Sequence, residues 1–187
     1  MRRLAFIAAA SLGLGVAVIV DQPASFADHL YIKSGQRRPG GDLAHTIIGS
    51  VDWKRIDLSG ANLSDANLKR AKLNQAILNK ANLSRANLFG ADLRGAKLNN
   101  ANLSGAYLVN ADLSYTKLNN ANLSRADVSK VILYNANLSG ANLSGADLRG
   151  SGLVIKGATG FIATNLRGCP RYLPSGWVCE NNSLIQR

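Results

Sequence analysis

The sequence KLNNANLS occupies residues 97–104 and recurs unchanged at residues 117–124. Around both copies every fifth residue from Leu58 to Leu153 is Leu, with Val128 as the exception. A step of five residues advances about 500° on an α-helix and reverses the face of a flat strand, so neither element keeps these Leu together. The period therefore predicts a chain that turns after every five residues and winds around its own interior.

The number of sides follows from a second, longer period. Ala-Asn-Leu-Ser begins at residues 61, 81, 101, 121 and 141, so the strongest self-similarity lies at twenty residues, or four fives. This spacing predicts a four-sided coil in which equivalent residues of successive coils are stacked. Leu then fills the narrow inside, and one column of the structural core consists of Leu63, Leu83, Leu103, Leu123 and Leu143.

The unbroken pattern A(D/N)LxX over residues 56–155 resembles the pentapeptide repeat family. The resemblance implies an all-β solenoid, a right-handed quadrilateral β-helix of about five four-sided coils. It also implies that Leu58 through Leu153 and Ala61 through Ala146 point inward. The best-known family members resemble DNA and protect topoisomerases, which requires an acidic rod in the cytoplasm. Residues 56–155 carry 11 basic and 6 acidic side chains, which argues against DNA mimicry here.

Both ends of the repeats are expected to be covered, because open coil edges expose unpaired backbone groups. Leu43, Ile47, Ile48 and Val51 stand at roughly helical spacing behind Asp42, which predicts a short capping helix within residues 42–55. Residues 28–41 are polar and are interpreted as a flexible arm. Large side chains return in residues 156–187, which are interpreted as a C-terminal cap.

The first 27 residues are typical of a secretory signal peptide. Arg2 and Arg3 precede an uncharged run from Leu4 to Val20, and the small residues before position 28 suit cleavage after Ala27. The alternative is a membrane anchor, although the apolar run is short for a bilayer span. We therefore expect a periplasmic or extracellular protein that meets a membrane only through an uncleaved signal.

Cys169 and Cys179 are the two cysteines of the chain. In an exported protein they are first interpreted as a disulfide. The alternatives are a metal site, which would need further ligands, or two reduced thiols. The stretch CPRYLPSGWVC resembles the tail that follows the repeats in some exported bacterial family members, so the cap is expected to be closed by this bond.

When the residues are sorted by the side of the coil on which they fall, six apolar side chains that point outward form a group. Phe89 and Val109 occupy equivalent positions on neighbouring coils with Tyr107 beside them, and Tyr115, Ile132 and Tyr134 fall on the next side. Grouped exposed apolar residues indicate a contact surface. The alternative is that the arm or the tail of this chain covers them.

These patterns favour a non-enzymatic exported scaffold for protein–protein interaction in the cell envelope. No nucleophile with a paired His and no phosphate loop is found in the sequence, and no cofactor or metal is expected. The formal charge of +11 becomes +10 when Arg2, Arg3 and Asp21 leave with the signal. The alternative function is therefore binding of an anionic polymer or carbohydrate through a basic rod surface. The partner is otherwise unknown; a homodimer is possible, and nucleic acid is not expected outside the cytoplasm.

Export and oxidation are tested together by the intact mass of the natively produced protein. The mass should correspond to a chain that begins at Asp28 and lies about two daltons below the fully reduced value, because a disulfide removes two hydrogens. A retained N-terminus with free thiols would contradict both expectations.

Overall fold

The computed structural model describes residues 40–46, 48–154 and 160–187, together with two short strands nearer the N-terminus. These strands, β1 (Phe6–Ile7) and β2 (Val18–Ile19), pair antiparallel. Strands β3 (Trp177–Glu180) and β4 (Ser183–Gln186) form an antiparallel hairpin at the other end. The rest of the predicted signal peptide and residues 28–39 of the predicted arm lie outside the described residues. The arm prediction is wrong at its last two residues, because Gly40 and Gly41 form backbone hydrogen bonds with the coil. Within the described ranges, no helix has the length and apolar character that a membrane crossing requires.

The central architecture is a coil whose backbone pairs residues twenty positions apart. Parallel bridges join Asn62 to Asn82, Asn82 to Asn102, and so on along the chain. At each bridge one residue donates forward and another backward: the Leu63 amide donates to the Asn82 carbonyl at 2.6 Å, and the Asn82 amide donates to the Ala61 carbonyl at 2.9 Å. The predicted twenty-residue coil is therefore present.

Each coil has four sides of five residues, and the sides are named here by their central residues. The first side contains Leu63 and Leu83, the second Leu68 and Leu88, the third Leu73 and Leu93, and the fourth Leu78 and Leu98. The five positions of a side are numbered in chain order, so that on the first side positions one to five are Ala61, Asn62, Leu63, Ser64 and Asp65. The third and first positions are buried throughout the repeats, and every Leu from Leu58 to Leu118 is 0% exposed.

Polar residues at the inner first position satisfy their hydroxyl groups within the turn. Thr116 stands where the other sides have Ala, and its Oγ1 donates to the Leu113 carbonyl at 2.7 Å. The Ser151 hydroxyl donates in the same way to the Leu148 carbonyl at 2.6 Å. These bonds remove the cost of burying an unpaired hydroxyl, so the inside accepts a small polar residue without losing its shape.

A turn closes every side. The amide of each following first position donates to the carbonyl of the third, as in the bond from Ala66 to Leu63 at 3.2 Å. The fifth residue has a positive φ, 57° at Asp65 and 68° at Gly60, which explains the Gly and Asn at this position. The side chain at the second position supports the turn of its own side. Its oxygen accepts a hydrogen bond from the backbone amide at the fourth position, as Asn102 Oδ1 does from Ser104 at 3.1 Å.

The predicted N-terminal helix is wrong for the described residues of 42–53. The coil begins there instead: Asp42 bridges Asn62, and Asp52 bridges Lys72. Leu43, Ile48 and Trp53 continue the five-residue period of the inner column and are buried. In the sequence, Leu43, Ile47, Ile48 and Val51 resembled a helix because their spacings include steps of four and three residues, which a period of five also permits.

The coil also continues beyond residue 155, where the repeat pattern ends in the sequence. Asn142 bridges Ile162, Asp147 bridges Gly168, and Gly152 bridges Tyr172, so one extra residue is accommodated between the first and second of these pairs. The β3–β4 hairpin then covers the end of the coil, with the Leu184 amide donating to the Ala163 carbonyl at 2.9 Å.

The predicted disulfide is confirmed and fixes this C-terminal cap. Cys169 lies between the last two bridged positions of the coil, Gly168 and Tyr172, and Cys179 lies in β3, with their Cα atoms 6.1 Å apart. The Phe161 and Trp177 rings stack with centroids 4.7 Å apart. The bond and the ring contact thus attach the hairpin to the coil edge that it covers.

The inward register is tested by a pair of adjacent substitutions. Leu103→Lys places an unpaired charge inside the coil and should lower the free energy of unfolding by several kcal/mol. Ser104→Lys, one residue later on the outer surface, should change it little. Urea unfolding of both variants checks this, and equal losses would show that the register is wrong.

A second stability prediction concerns the buried carboxylate of Asp147. It accepts bonds from the Arg149 Nε and Nη2 at 3.0 and 2.6 Å and from the Arg149 amide at 3.1 Å. These bonds, with the Arg149 side-chain bond dominant, hold the Asp147 pKa below its unfolded value of 3.8. The stabilisation is therefore complete above pH 3.8 and is lost as the pH falls through the folded-state pKa.

Asp147→Asn should consequently lower the stability at neutral pH by about 1 kcal/mol. The difference between parent and variant should shrink as the pH is lowered below 3.8. Urea unfolding across this range measures it, and a difference that stays constant into strong acid would contradict the assignment.

Candidate interaction surfaces

Four of the six predicted outward apolar residues form two ring pairs on adjoining sides. On the second side, the Phe89 and Tyr107 rings stack with centroids 6.0 Å apart and an interplanar angle of 13°. On the third side, the Tyr115 and Tyr134 rings meet edge to face with centroids 5.5 Å apart. Each pair joins two neighbouring coils, because its members come from successive turns of the chain.

Exposure differs between these residues. Tyr107, Tyr115, Ile132 and Tyr134 are 42–59% exposed, whereas Phe89 and Val109 are half-buried. The Lys69 Nζ lies 5.4 Å from the centre of the Phe89 ring, on the coil before it, which is the geometry of a cation–π contact. The third side therefore presents more free apolar area than the second.

Two further residues extend the third-side group and were not found from the sequence. The Asn135 amide donates to the Val154 carbonyl, and Tyr172 bridges Gly152, which in turn bridges Ile132. Val154 and Tyr172 are 51% and 58% exposed. Continuing the twenty-residue period from Gly152 would have located Tyr172. We name the eight residues the apolar surface: Phe89, Tyr107, Val109, Tyr115, Ile132, Tyr134, Val154 and Tyr172.

Toward the N-terminus the third side changes from apolar to charged. Arg94 donates to both carboxylate oxygens of Asp92 at 2.9 and 2.8 Å, and its Nε also lies 3.9 Å from Asp112 Oδ2. The Arg94 side-chain bond lowers the pKa of Asp92, so this carboxylate stays ionised into acid. The apolar surface is thus bounded along the rod by a charged group of residues.

The fourth and first sides are polar and regular. On the first side, Asn82 donates its side-chain amide to Asn62, Asn102 donates to Asn82, and Asn122 donates to Asn102, at 3.2–3.4 Å. On the fourth side, the Asn99 side-chain amide donates to Asn79 Oδ1 at 3.0 Å. These ladders and the turns described above occupy the Asn oxygens, so the asparagine columns have a structural role.

A shallow depression of about 550 Å³ lies at the corner that follows the first side. Arg85 and Arg125 flank it, and Ser104, Gly105, Asn122, Ser124 and Ser144 complete its lining. Arg85 makes a bidentate bond to Asp65 at 2.8 and 2.7 Å, which lowers the pKa of that carboxyl group. No described carboxylate pairs with Arg125.

Catalytic or metal chemistry finds no support in the described part of the chain. No group of three His, Cys, Asp or Glu side chains there could hold a metal ion. Asp92, Asp112, Asp127 and Asp147 all accept the amide of the residue two positions later, at 2.9–3.2 Å, and so serve as turn residues.

Several solved structures are similar to this chain. The pentapeptide repeat protein Rfr23 from the cyanobacterium Cyanothece 51142 is 30% identical over 65% of this chain and 90% of its own, with a TM-score of 0.46. HetL from Nostoc sp. strain PCC 7120, involved in the regulation of heterocyst differentiation, is 30% identical over 72% of this chain and 76% of its own, with a TM-score of 0.27. A pentapeptide repeat protein of the Arabidopsis thaliana thylakoid lumen is 30% identical over 62% and 66%, with a TM-score of 0.24.

No curated protein matches the sequence significantly. The profile described as pentapeptide repeats matches with eight copies, in overlapping segments that run from residue 42 to residue 150. Proteins with this repeat fold as right-handed quadrilateral β-helices and are generally non-enzymatic interaction proteins. The match starts at the residue where the observed bridges begin and covers more than half of the sequence, so this chain belongs to the pentapeptide repeat family.

Proposed function

We propose that this protein is an exported scaffold of the cell envelope that holds a protein partner against its apolar surface. The observation that carries the proposal is the grouping of exposed rings on two adjoining sides of the coil. Large apolar residues that are scattered singly need no explanation, but contiguous ones mark contact surfaces. Here they are contiguous across successive coils of the third side, from Tyr115 to Tyr172.

The chemistry of these side chains suits a protein partner. Tyrosine combines a large apolar ring with a hydroxyl that forms hydrogen bonds, and tyrosine is enriched where binding energy concentrates. Four of the eight residues of the apolar surface are Tyr. The charged residues Asp92 and Arg94 border the surface and supply the polar rim that protein interfaces usually have.

The rigidity of the coil favours tight binding without rearrangement. Each ring stands next to buried Leu and Ala whose backbones are bonded to the coils before and after. Binding therefore costs little ordering of the backbone, and the partner meets a preformed surface.

Export is supported by the signal-like sequence of residues 1–27 and by the disulfide that closes the cap. A structural disulfide is stable in an oxidising compartment and rare in a reducing cytoplasm. A periplasmic or extracellular scaffold accounts for both features.

The proposal is tested with two pairs of substitutions, one on each side. Phe89→Ser with Tyr107→Ser removes the second-side pair, and Tyr115→Asn with Tyr134→Asn removes the third-side pair. Asn is chosen at position 115 because it tolerates the φ of 60° found there. Arg70→Asn with Lys72→Ser is the matched control, which removes two long exposed side chains that belong to neither ring pair.

The partner is first isolated by cross-linked pull-down of the mature protein from its native envelope, and its affinity for each variant is then measured. We expect the aromatic variants to bind roughly tenfold or more weakly, while the control binds like the parent. Thermal midpoints should shift by only a few degrees, since the rings lie outside the core. Parent-like binding by both aromatic variants would contradict the proposal and leave the arm as the cover of this surface.

The same variants test whether the partner is a second copy of the chain. Sedimentation of the parent at rising concentration would then show a dimer that the aromatic substitutions dissociate at any salt concentration. An association lost at high salt but insensitive to the substitutions would instead be electrostatic.

A further inference from the structure

We propose that the fourth and first sides form a binding surface for a linear acidic polysaccharide. The inference rests on how the coil sorts charge, and it is independent of the partner of the apolar surface. Over the four coils from residue 77 to residue 154, the fourth and first sides carry five basic residues and no acidic one. We call this group the basic surface: Lys80, Arg85, Lys97, Lys117 and Arg125.

The other two sides of the same coils have a different composition. They carry four acidic and three basic residues, and all four aromatic residues of these coils lie on them. In the preceding coil the pattern is reversed, because Asp57 and Asp65 stand on the fourth and first sides without a basic residue. The basic surface therefore starts at Lys80 and does not extend over the whole rod.

The positive charges of the basic surface are mostly uncompensated. All five side chains are exposed. Arg85 is paired with Asp65, while none of the other four has an ion pair with any described carboxylate. Exposed basic groups that are neither buried nor paired keep their full charge available to a ligand.

Two of these charges face each other across neighbouring coils. Lys97 and Lys117 are bridge partners, so their side chains leave the same side about 4.8 Å apart along the rod. Like charges in this arrangement repel and destabilise the fold. An anionic ligand that lies across both coils would offset this repulsion. These lysines begin the two identical KLNNANLS sequences, so the repeated segment presents the same groups twice along the rod.

Hydrogen-bonding groups line the path between the charges. The Ser64 hydroxyl donates to Asn62, whereas the Ser104 and Ser124 hydroxyls have no acceptor among the described residues. Both line the depression between Arg85 and Arg125. Arg85 and Arg125 are two coil steps, or about 10 Å, apart along the rod. Gly105 occupies the equivalent fifth position between them and, having no side chain, leaves the floor of the depression open.

This combination suits a polymer that carries both anionic groups and hydroxyls. A polysaccharide with acidic sugars offers carboxylate or sulfate groups to the basic side chains and hydroxyls to Ser and Asn. An anionic membrane fits less well, because peripheral binding usually adds apolar side chains that enter the lipid. Single-stranded nucleic acid fits less well, because stacking rings are absent from the fourth and first sides of residues 77–145.

The experiment measures binding of the oxidised mature chain to polygalacturonate and to dextran sulfate, with neutral dextran as the control polymer. The triple variant Lys97→Gln, Lys117→Gln and Arg125→Gln removes three charges from the basic surface. Its matched control is Lys69→Gln, Arg70→Gln and Lys130→Gln, which removes three exposed charges from the second side. Both variants have the same net charge, so only the location differs.

We expect the parent to bind at least one acidic polymer but not dextran, with an affinity that falls as salt is added. The basic-surface variant should bind roughly tenfold or more weakly, and the second-side control should stay within about twofold of the parent. Thermal midpoints of both variants should remain close to that of the parent.

Three results would overturn the proposal. Equal losses in the two variants would show that net charge alone drives binding. Tighter binding to vesicles of phosphatidylglycerol or to duplex DNA, with the same dependence on Lys97, Lys117 and Arg125, would assign the surface to a different class of ligand. Absence of binding to both acidic polymers at low salt would show that the basic surface is not a binding site for acidic polysaccharides. None of these results bears on the apolar surface, whose variants are tested separately.

Discussion

The structure depends on the stacking of each coil on the next through backbone bonds spaced twenty residues apart. A single side buries one Leu and one Ala, which is too little to fix five residues of backbone. Stability arises only when the Leu and Ala columns and the backbone ladders form together over many coils. The inside must then stay narrow and constant, and this requirement explains why Leu and Ala recur with so few exceptions. The exceptions obey the same limit, since Thr116 and Ser151 bond their hydroxyls within the turn.

The same geometry converts sequence into surface composition. Residues twenty apart share a column, so a substitution in one coil is placed beside its equivalent in the next. The outer positions do not pack in the core, so their side chains can differ between sides within the limits that the turns set. In this chain the second and third sides carry apolar residues and charges of both signs, whereas the fourth and first sides are polar and basic from Lys80 onward. One rigid body thereby presents two surfaces of different chemistry, for which we propose two different partners.

Much of the coil was predictable because its period is unbroken in the sequence. The five-residue step determined which residues point inward, and the twenty-residue repeat determined the number of sides. The disulfide was predictable from the pairing of two cysteines in a chain with an export-like N-terminus. The prediction was wrong at residues 42–53, where Ile48 and Trp53 replace Leu in the inner column and conceal the period.

The C-terminal end shows a different limit of sequence reasoning. The Leu period stops at Leu153, yet the backbone continues to pair as far as Tyr172, with one extra residue before Gly168 and one fewer after it. Backbone bonds tolerate such an insertion because they do not depend on side-chain identity. The predicted apolar group lacked Tyr172, although a step of twenty residues from Gly152 leads to it, and it lacked Val154, which lies at an outer position of the last repeat. The placement of its rings on two adjoining sides followed from the repeat, whereas the stacked and edge-to-face ring contacts depend on side-chain directions, which the repeat pattern does not specify.

The central claim is that residues twenty apart lie directly above one another, and cysteine cross-linking tests it most directly. Lys97→Cys with Lys117→Cys places two thiols on bridge partners, at a Cα separation that a disulfide spans. Lys97→Cys with Asp112→Cys places them fifteen residues apart, on different sides. A four-sided coil predicts rapid intramolecular cross-linking of the first pair and none of the second, with the native disulfide intact. Cross-linking of the second pair instead of the first would contradict the fold.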